Sequence, residues 1–153
     1  MPLTQEQHRE LAAALFNHVW NRMEQTQRTV EETDDMIAAA HASLYHWMQC
    51  GTALNSVRGH WQISRMYARL GAGNESLHHA RRCLDVCLAH GINDFDLAYA
   101  YEAMARANSL LGDDSAAREH ATLMVQAAAA IAKPEDATWF AKDAADMAQL
   151  LVN

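Results

Sequence analysis

Residues 65–84 read "RMYARLGAGNESLHHARRCL", and residues 106–125 read "RANSLLGDDSAAREHATLMV". Each has a run of helix formers, a glycine, a few small polar residues and a second run of helix formers. Gly71 and Gly112 stand 41 residues apart. A glycine just past a helix end supplies the left-handed residue that closes it. Each stretch is therefore a helix, a tight turn and a second helix. The spacing continues outward: Ala80 aligns with Ala121 and with Ala39, Leu77 with Met36, and Cys83 with Met124 and Ala42. The first unit has Val30 where the others have the turn glycine, so it is the most divergent. A helix pair cannot bury its apolar face alone, but stacked pairs can.

The remaining breaks extend this pattern to the whole chain. Thr4–Gln7 and Thr29–Glu32 have capping-box form and open helices one and two. Helix one is expected to reach about Arg28 and helix two to end near Gly51. Helix three follows from about Thr52 to Leu70, and helix four from an Asn74 cap to His90. Asn93 or Asp94 opens helix five, which ends at Gly112. Asp113 or Asp114 opens helix six, which runs to Lys133. Pro134 suits the first turn of helix seven. The expected fold is all-α and single-domain over residues 1–153. It has about seven antiparallel helices, in helix-turn-helix units at about 4–51, 52–92 and 93–132. A capping helix covers 134–152. Composition agrees: Ala occurs 30 times, against 10 Val and Ile together, which favours helix over strand.

With Tyr67 at a helix-A aromatic position, Gly71, Leu77, Ala80, Cys83 and Leu84 resemble the tetratricopeptide repeat. Gly71, Ser76, Ala80 and Cys83 then fall at that family's small-residue positions, as do Asn108, Gly112, Ala117, Ala121 and Met124 in the next unit. The resemblance covers residues 52–132 well and 4–51 weakly. The departures are a 41-residue period instead of about 34, and Ile63-Ser64 and Met104-Ala105 in place of the usual Leu-Gly. The resemblance implies a superhelix with a concave groove lined by the first helix of each unit. An ordinary antiparallel bundle is the alternative.

Charge bears on what that groove takes. The net charge of −7 argues against nucleic acid. Residues 51–90 carry five Arg and two acids, a +3 block between flanks of −4 and −6. Arg58, Trp61, Arg65 and Arg69 recur every three or four residues, so they share one side of helix three. At matching positions, helix five supplies Tyr99, Glu102 and Arg106, and helix one supplies Asn17, Trp20 and Glu24. By the same register Tyr101 packs inward and Tyr99 faces the groove. Arg receives carboxylates through a bidentate fork, and Trp and Arg dominate binding energies. The expected function is thus a non-catalytic interaction or adaptor module whose groove binds an acidic peptide segment or carboxylate. The competing role for the same arginines is internal: Arg58 and Arg65 pairing with Glu24 and Glu102.

A different class of function would place a small anionic ligand, or acid–base chemistry, between helices two, three and five, on His41, His60, Arg58 and Glu102. His46 stands near this set in sequence. No nucleophile elbow or phosphate-cradling glycine loop accompanies these residues. Metal ligation has two weak candidates: Glu75-Ser-Leu-His78, which lacks the second copy a di-metal bundle needs, and His79, Cys83 and Cys87 with Cys50 or His90. Cys83 reads better as a core residue. No cofactor or metal is expected. Asp94 and Asp96 at the N-terminus of helix five are explained by capping and the helix dipole. Three cysteines make a poor disulfide framework, and no apolar run approaches a membrane span, so a reducing cytoplasm is the expected home. The charge segregation also suggests a closed homodimer that weakens with salt.

Overall fold

Helix ends are set by capping chemistry in this chain. A computed structural model describes residues 1–152, and among them every regular element is helical. The helices are α1 (Gln5–Glu24), α2 (Val30–Cys50), α3 (Ala53–Arg69), α4 (Gly73–His90), α5 (Asp94–Leu110), α6 (Asp114–Ala128), α7 (Pro134–Asp143) and the short α8 (Ala145–Ala148). A single 3-10 turn, Gln149–Leu151, follows. Both expected capping boxes form. The Thr4 hydroxyl accepts from the Gln7 amide at 3.1 Å, and the Thr29 hydroxyl from the Glu32 amide at 3.1 Å. Gly71 and Gly112 adopt φ +75° and +78° and close α3 and α5.

Four expected boundaries move. α4 starts at Gly73 after Ala72, so Asn74 lies inside its first turn instead of capping it. α1 stops at Glu24 instead of Arg28, because Arg28 folds back and donates to the carbonyls of Arg22 and Gln25 at 3.1 Å each. α6 stops at Ala128, five residues before Lys133, and Lys133 itself is extended (ψ 125°) ahead of Pro134. The expected capping helix is not continuous. It breaks at Ala144 (φ −102°, ψ 5°), where Asp146 accepts from the Met147 amide at 2.9 Å. A short acidic side chain that takes a nearby amide competes with the helix for the backbone.

Packing follows the sequence pairs. α1 lies on α2, α3 on α4 and α5 on α6, and the pairs join through α2 with α3, α4 with α5, and α3 with α5. Small residues set how closely each pair approaches. Ser64 of α3 and Ser76 of α4 exchange hydroxyl-to-carbonyl bonds at 2.8 and 2.9 Å. Their counterparts Ala105 and Ala117 are buried in the next pair. The core runs along the stack as three clusters. Val19, Met36, Ile63 and Met66 fill the first; Val57, Ala80, Cys83, Cys87 and Met104 the second; Ala121, Met124, Phe140 and Met147 the third. Tyr101 packs on the second cluster, as its register implied. Among the described residues no helix is long and apolar enough to cross a membrane.

Candidate functional site

Trp20, Trp61, Glu102 and Asp143 stand at successive intervals of 41 residues. The stack makes neighbours of them. The indoles of Trp20 and Trp61 lie 5.7 Å apart, and the Trp61 indole N–H donates to Glu102 at 3.3 Å. A second row follows the same interval: Tyr99 and Phe140 are 41 apart, with rings at 4.9 Å. α1, α3, α5 and α7 therefore present equivalent positions to one face. α7, packed on α5 and α6, joins this row in the register of a first helix.

Two depressions open on the face. The first is aromatic, about 290 Å³, and is lined by Phe16, Trp20, Val57, Arg58, Trp61, Phe95, Asp96, Tyr99 and Asp143. Rings walk across it: Phe16 to Trp20 at 6.1 Å, Trp20 to Trp61 at 5.7 Å, and Trp61 to Tyr99 at 5.2 Å. The Tyr99 hydroxyl donates to Asp143 at 2.6 Å, and burial with that carboxylate holds its pKa far above the ordinary range. The second depression is basic, about 250 Å³, and is lined by Arg65, Ala68, Arg69, Arg106 and Leu110.

The arginines are partly used internally. Glu102, 1% exposed, receives Arg65 at 3.1 Å and Arg106 Nε at 2.7 Å. Arg106 also grips Asp146 at 2.6 and 2.9 Å, and this carboxylate falls below its usual range chiefly through that bond. The expected Arg65–Glu102 pair thus forms. The expected Arg58–Glu24 pair does not: Arg58 reaches Asp96 through two bonds at 3.1 and 3.3 Å. Asp96 lies in the first turn of α5, where the helix dipole favours an acid as expected, but its carboxylate is held by Arg58 and caps no backbone amide. Asp94 serves its neighbourhood differently as well, sitting at φ 63° and accepting from the Phe95 amide at 2.7 Å. Arg69 donates to the Met23 carbonyl at 2.9 Å, closing the end of α1. Asn17 and Glu24 are exposed on α1, and neither lines a depression.

The candidate histidines form two groups, and His41, His60 and His79 gather in one, with the His41 and His79 rings 5.5 Å apart and the His60 and His79 rings 5.3 Å apart. His60 meets His79 of α4 at 3.0 Å, and His41 meets the Tyr67 hydroxyl at 2.9 Å. Burial first, then Arg82 and neighbouring imidazoles, lower His60 to about 4; burial, then His60 and His41, lower His79 to about 3. His46 lies elsewhere, on His8 of α1 at 2.8 Å. Glu102 and Arg58 bond to the groove residues described above instead of to His41 or His60. The second class of function loses its assembled site, since its four residues divide between two partner sets. Cys83 and Cys87 are buried in the core, and among the described residues no group of three or more His, Cys, Asp or Glu could hold a metal ion.

Phe16, Phe95, Asp96 and Asp143 were missed by the sequence reading. Asp143 was legible from the 41-residue interval carried one step further. Phe95 and Asp96 stand four and three residues before Tyr99, so the helical period of the α5 stripe carried one turn back would have found them. Compared with known proteins, the chain matches no family model, no curated protein and no solved structure.

Proposed function

We propose that this chain is a tetratricopeptide-like interaction module, and that its groove holds a short acidic segment of another protein anchored by an apolar side chain. One observation carries the reading: an aromatic depression and an arginine-lined one adjoin along α3, on the face formed by α1, α3 and α5. Buried aromatics flanked by Arg are the composition of binding hot spots. The aromatic depression, near the small end of ligand pockets, fits one Leu- or Phe-sized side chain better than a whole cofactor. Charge complementarity then selects acidic neighbours for that anchor.

The test uses Trp20 and Trp61 as reporters. Peptides pairing an apolar residue with nearby acids are titrated while indole fluorescence is followed, with basic scrambled peptides as controls. Acidic peptides are expected to bind, and Trp61→Ala and Arg65→Glu to weaken them at least tenfold in folded protein. Equal response to acidic and basic peptides would remove the proposal.

A further inference from the structure

The basic depression is built on two turns of one helix. Arg65 and Arg69 stand four residues apart on α3 and share this depression with Arg106. Every nitrogen of the Arg106 guanidinium is engaged: its Nε serves Glu102 and its two terminal nitrogens serve Asp146. The same is not true of Arg65 and Arg69. Arg65 gives only Nη1 to Glu102, and Arg69 only Nη1 to a backbone carbonyl. Among the described residues, Arg69 has no carboxylate within ion-pair distance. Burial and the charges of Arg65, Arg28 and Arg106 push its guanidinium below the ordinary range. Arg28 has a buried Nε with no partner.

Two guanidinium forks with idle donors thus border one depression. A carboxylate has two oxygens in one plane and fills a single fork. A phosphoryl group has three terminal oxygens in a tetrahedral array and close to two negative charges, so it can bridge both forks. Resting on the groove reading, we infer that the Arg65–Arg69 depression is a phosphoryl subsite, and that the bound segment carries a phosphorylated side chain beside its apolar anchor. The spacing of the two follows from α3. Arg65 and Arg69 lie one and two turns beyond Trp61, roughly 6 to 12 Å along the axis. An extended segment covers that in about two to four residues.

The probes are inorganic phosphate and three versions of one peptide, with Leu three residues before Ser, phosphoserine or Glu. Phosphate should raise the melting temperature of the wild-type protein above that in acetate of equal ionic strength. Arg69→Gln should abolish the difference. Arg69→Lys, which keeps the charge but loses the fork, should remove most of it, with circular dichroism confirming that both variants fold. The phosphoserine peptide should bind at least tenfold more tightly than the Ser and Glu forms. Phosphate protection without binding of any peptide would uphold the subsite and remove the groove reading. Equal binding of the phosphoserine and Glu peptides above the Ser form, or phosphate acting no better than acetate, would overturn the inference and leave the groove reading standing, whereas equal binding of all three would remove both.

Discussion

Trp61 and Glu102 occupy the same place in successive 41-residue units, and the indole N–H of one donates to the carboxylate of the other at 3.3 Å. The same carboxylate gathers Arg65 and Arg106. One position has thus become an aromatic floor in one unit and a charge anchor in the next. The difference makes Glu102 the electrostatic centre of the face.

Removing that centre should be costly. Glu102→Ala leaves two partly buried guanidiniums facing each other with no carboxylate between them. Breaking a buried pair from one side costs about 3–5 kcal/mol, so a comparable loss is expected in urea denaturation. Asp146→Asn removes an exposed partner of Arg106 instead, and is expected to cost about 1 kcal/mol or less. Similar losses for the two variants would contradict this ranking.

The turn glycines should behave alike. Gly71 and Gly112 have φ +75° and +78°, with open space where a Cβ would stand. The cost of Gly→Ala is therefore conformational, about 1–2 kcal/mol at each site. Lying in different units, the two changes should add. Denaturant midpoints of the single and double variants measure this, and a cost near zero would mean the turns relax to another form.

Stability should fall in mild acid through the α2–α3–α4 histidines. His60 titrates at about 4 and His79 at about 3 in the folded chain, against an ordinary value of 6.5. The His60–His79 bond needs one unprotonated ring nitrogen. Between pH 6.5 and about 3 the unfolded chain binds more protons, so stability is full above 6.5 and declines as pH falls through that window. Facing this pair are His41, His78, Tyr67 and Arg82, none of which offers a compensating negative charge. Unfolding free energies at pH 7.5, 6 and 5 should decrease in that order, with a shallower slope in His79→Gln. A flat profile in the wild type would exclude this cluster as the acid-labile element.

Self-association is the fourth expectation. Asp143 and Asp146 are engaged within the chain by Tyr99 and Arg106. A charge-driven homodimer therefore draws on the other C-terminal acids, Asp113, Asp114, Glu119, Glu135 and Asp136. An apolar furrow of about 360 Å³ between α6 and α7, lined by Met124, Ala128, Phe140 and Ala144, offers a competing contact. Light scattering separates them: a dimer that dissociates as salt rises is electrostatic, whereas one that persists is apolar.

Helices and their registers were largely legible because capping and glycine signals are local. Thr4, Thr29, Gly71 and Gly112 each act within a few residues of themselves. The stripe Arg58–Trp61–Arg65–Arg69 was legible for the same reason, since periodicity places residues on a face. Partners were less so. Nothing near Arg58 in sequence chooses Asp96 over Glu24, because the choice depends on how α5 meets α3. Arg28 looked like one more helical residue, and only the fold shows it turned back onto the end of α1. His79 joined His60 for a similar reason: the turn at Gly71 sets which face of α4 meets α3. The break at Ala144 was hidden by composition, since Lys142 before Asp143 and Ala144 and Ala145 after it carry no stop signal.

α7 stands in the register of a first helix, and among the described residues the four-residue α8 and a 3-10 turn follow it. In a linear array each unit is held by its neighbours. Among the described residues, α7 packs on α5 and α6 on one side and has no full second helix on the other. Protection from amide exchange should therefore be graded along the molecule. Amides of α3, α4 and α5, flanked on both sides, should open only with global unfolding. Those of α7 and α8 should exchange through a local opening that lifts Asp143 and Asp146 off Tyr99 and Arg106. The segment bearing Asp143 and Asp146 would then leave the groove on its own, many times for each complete unfolding, and the rate of that departure would set how quickly the face becomes free to receive anything else.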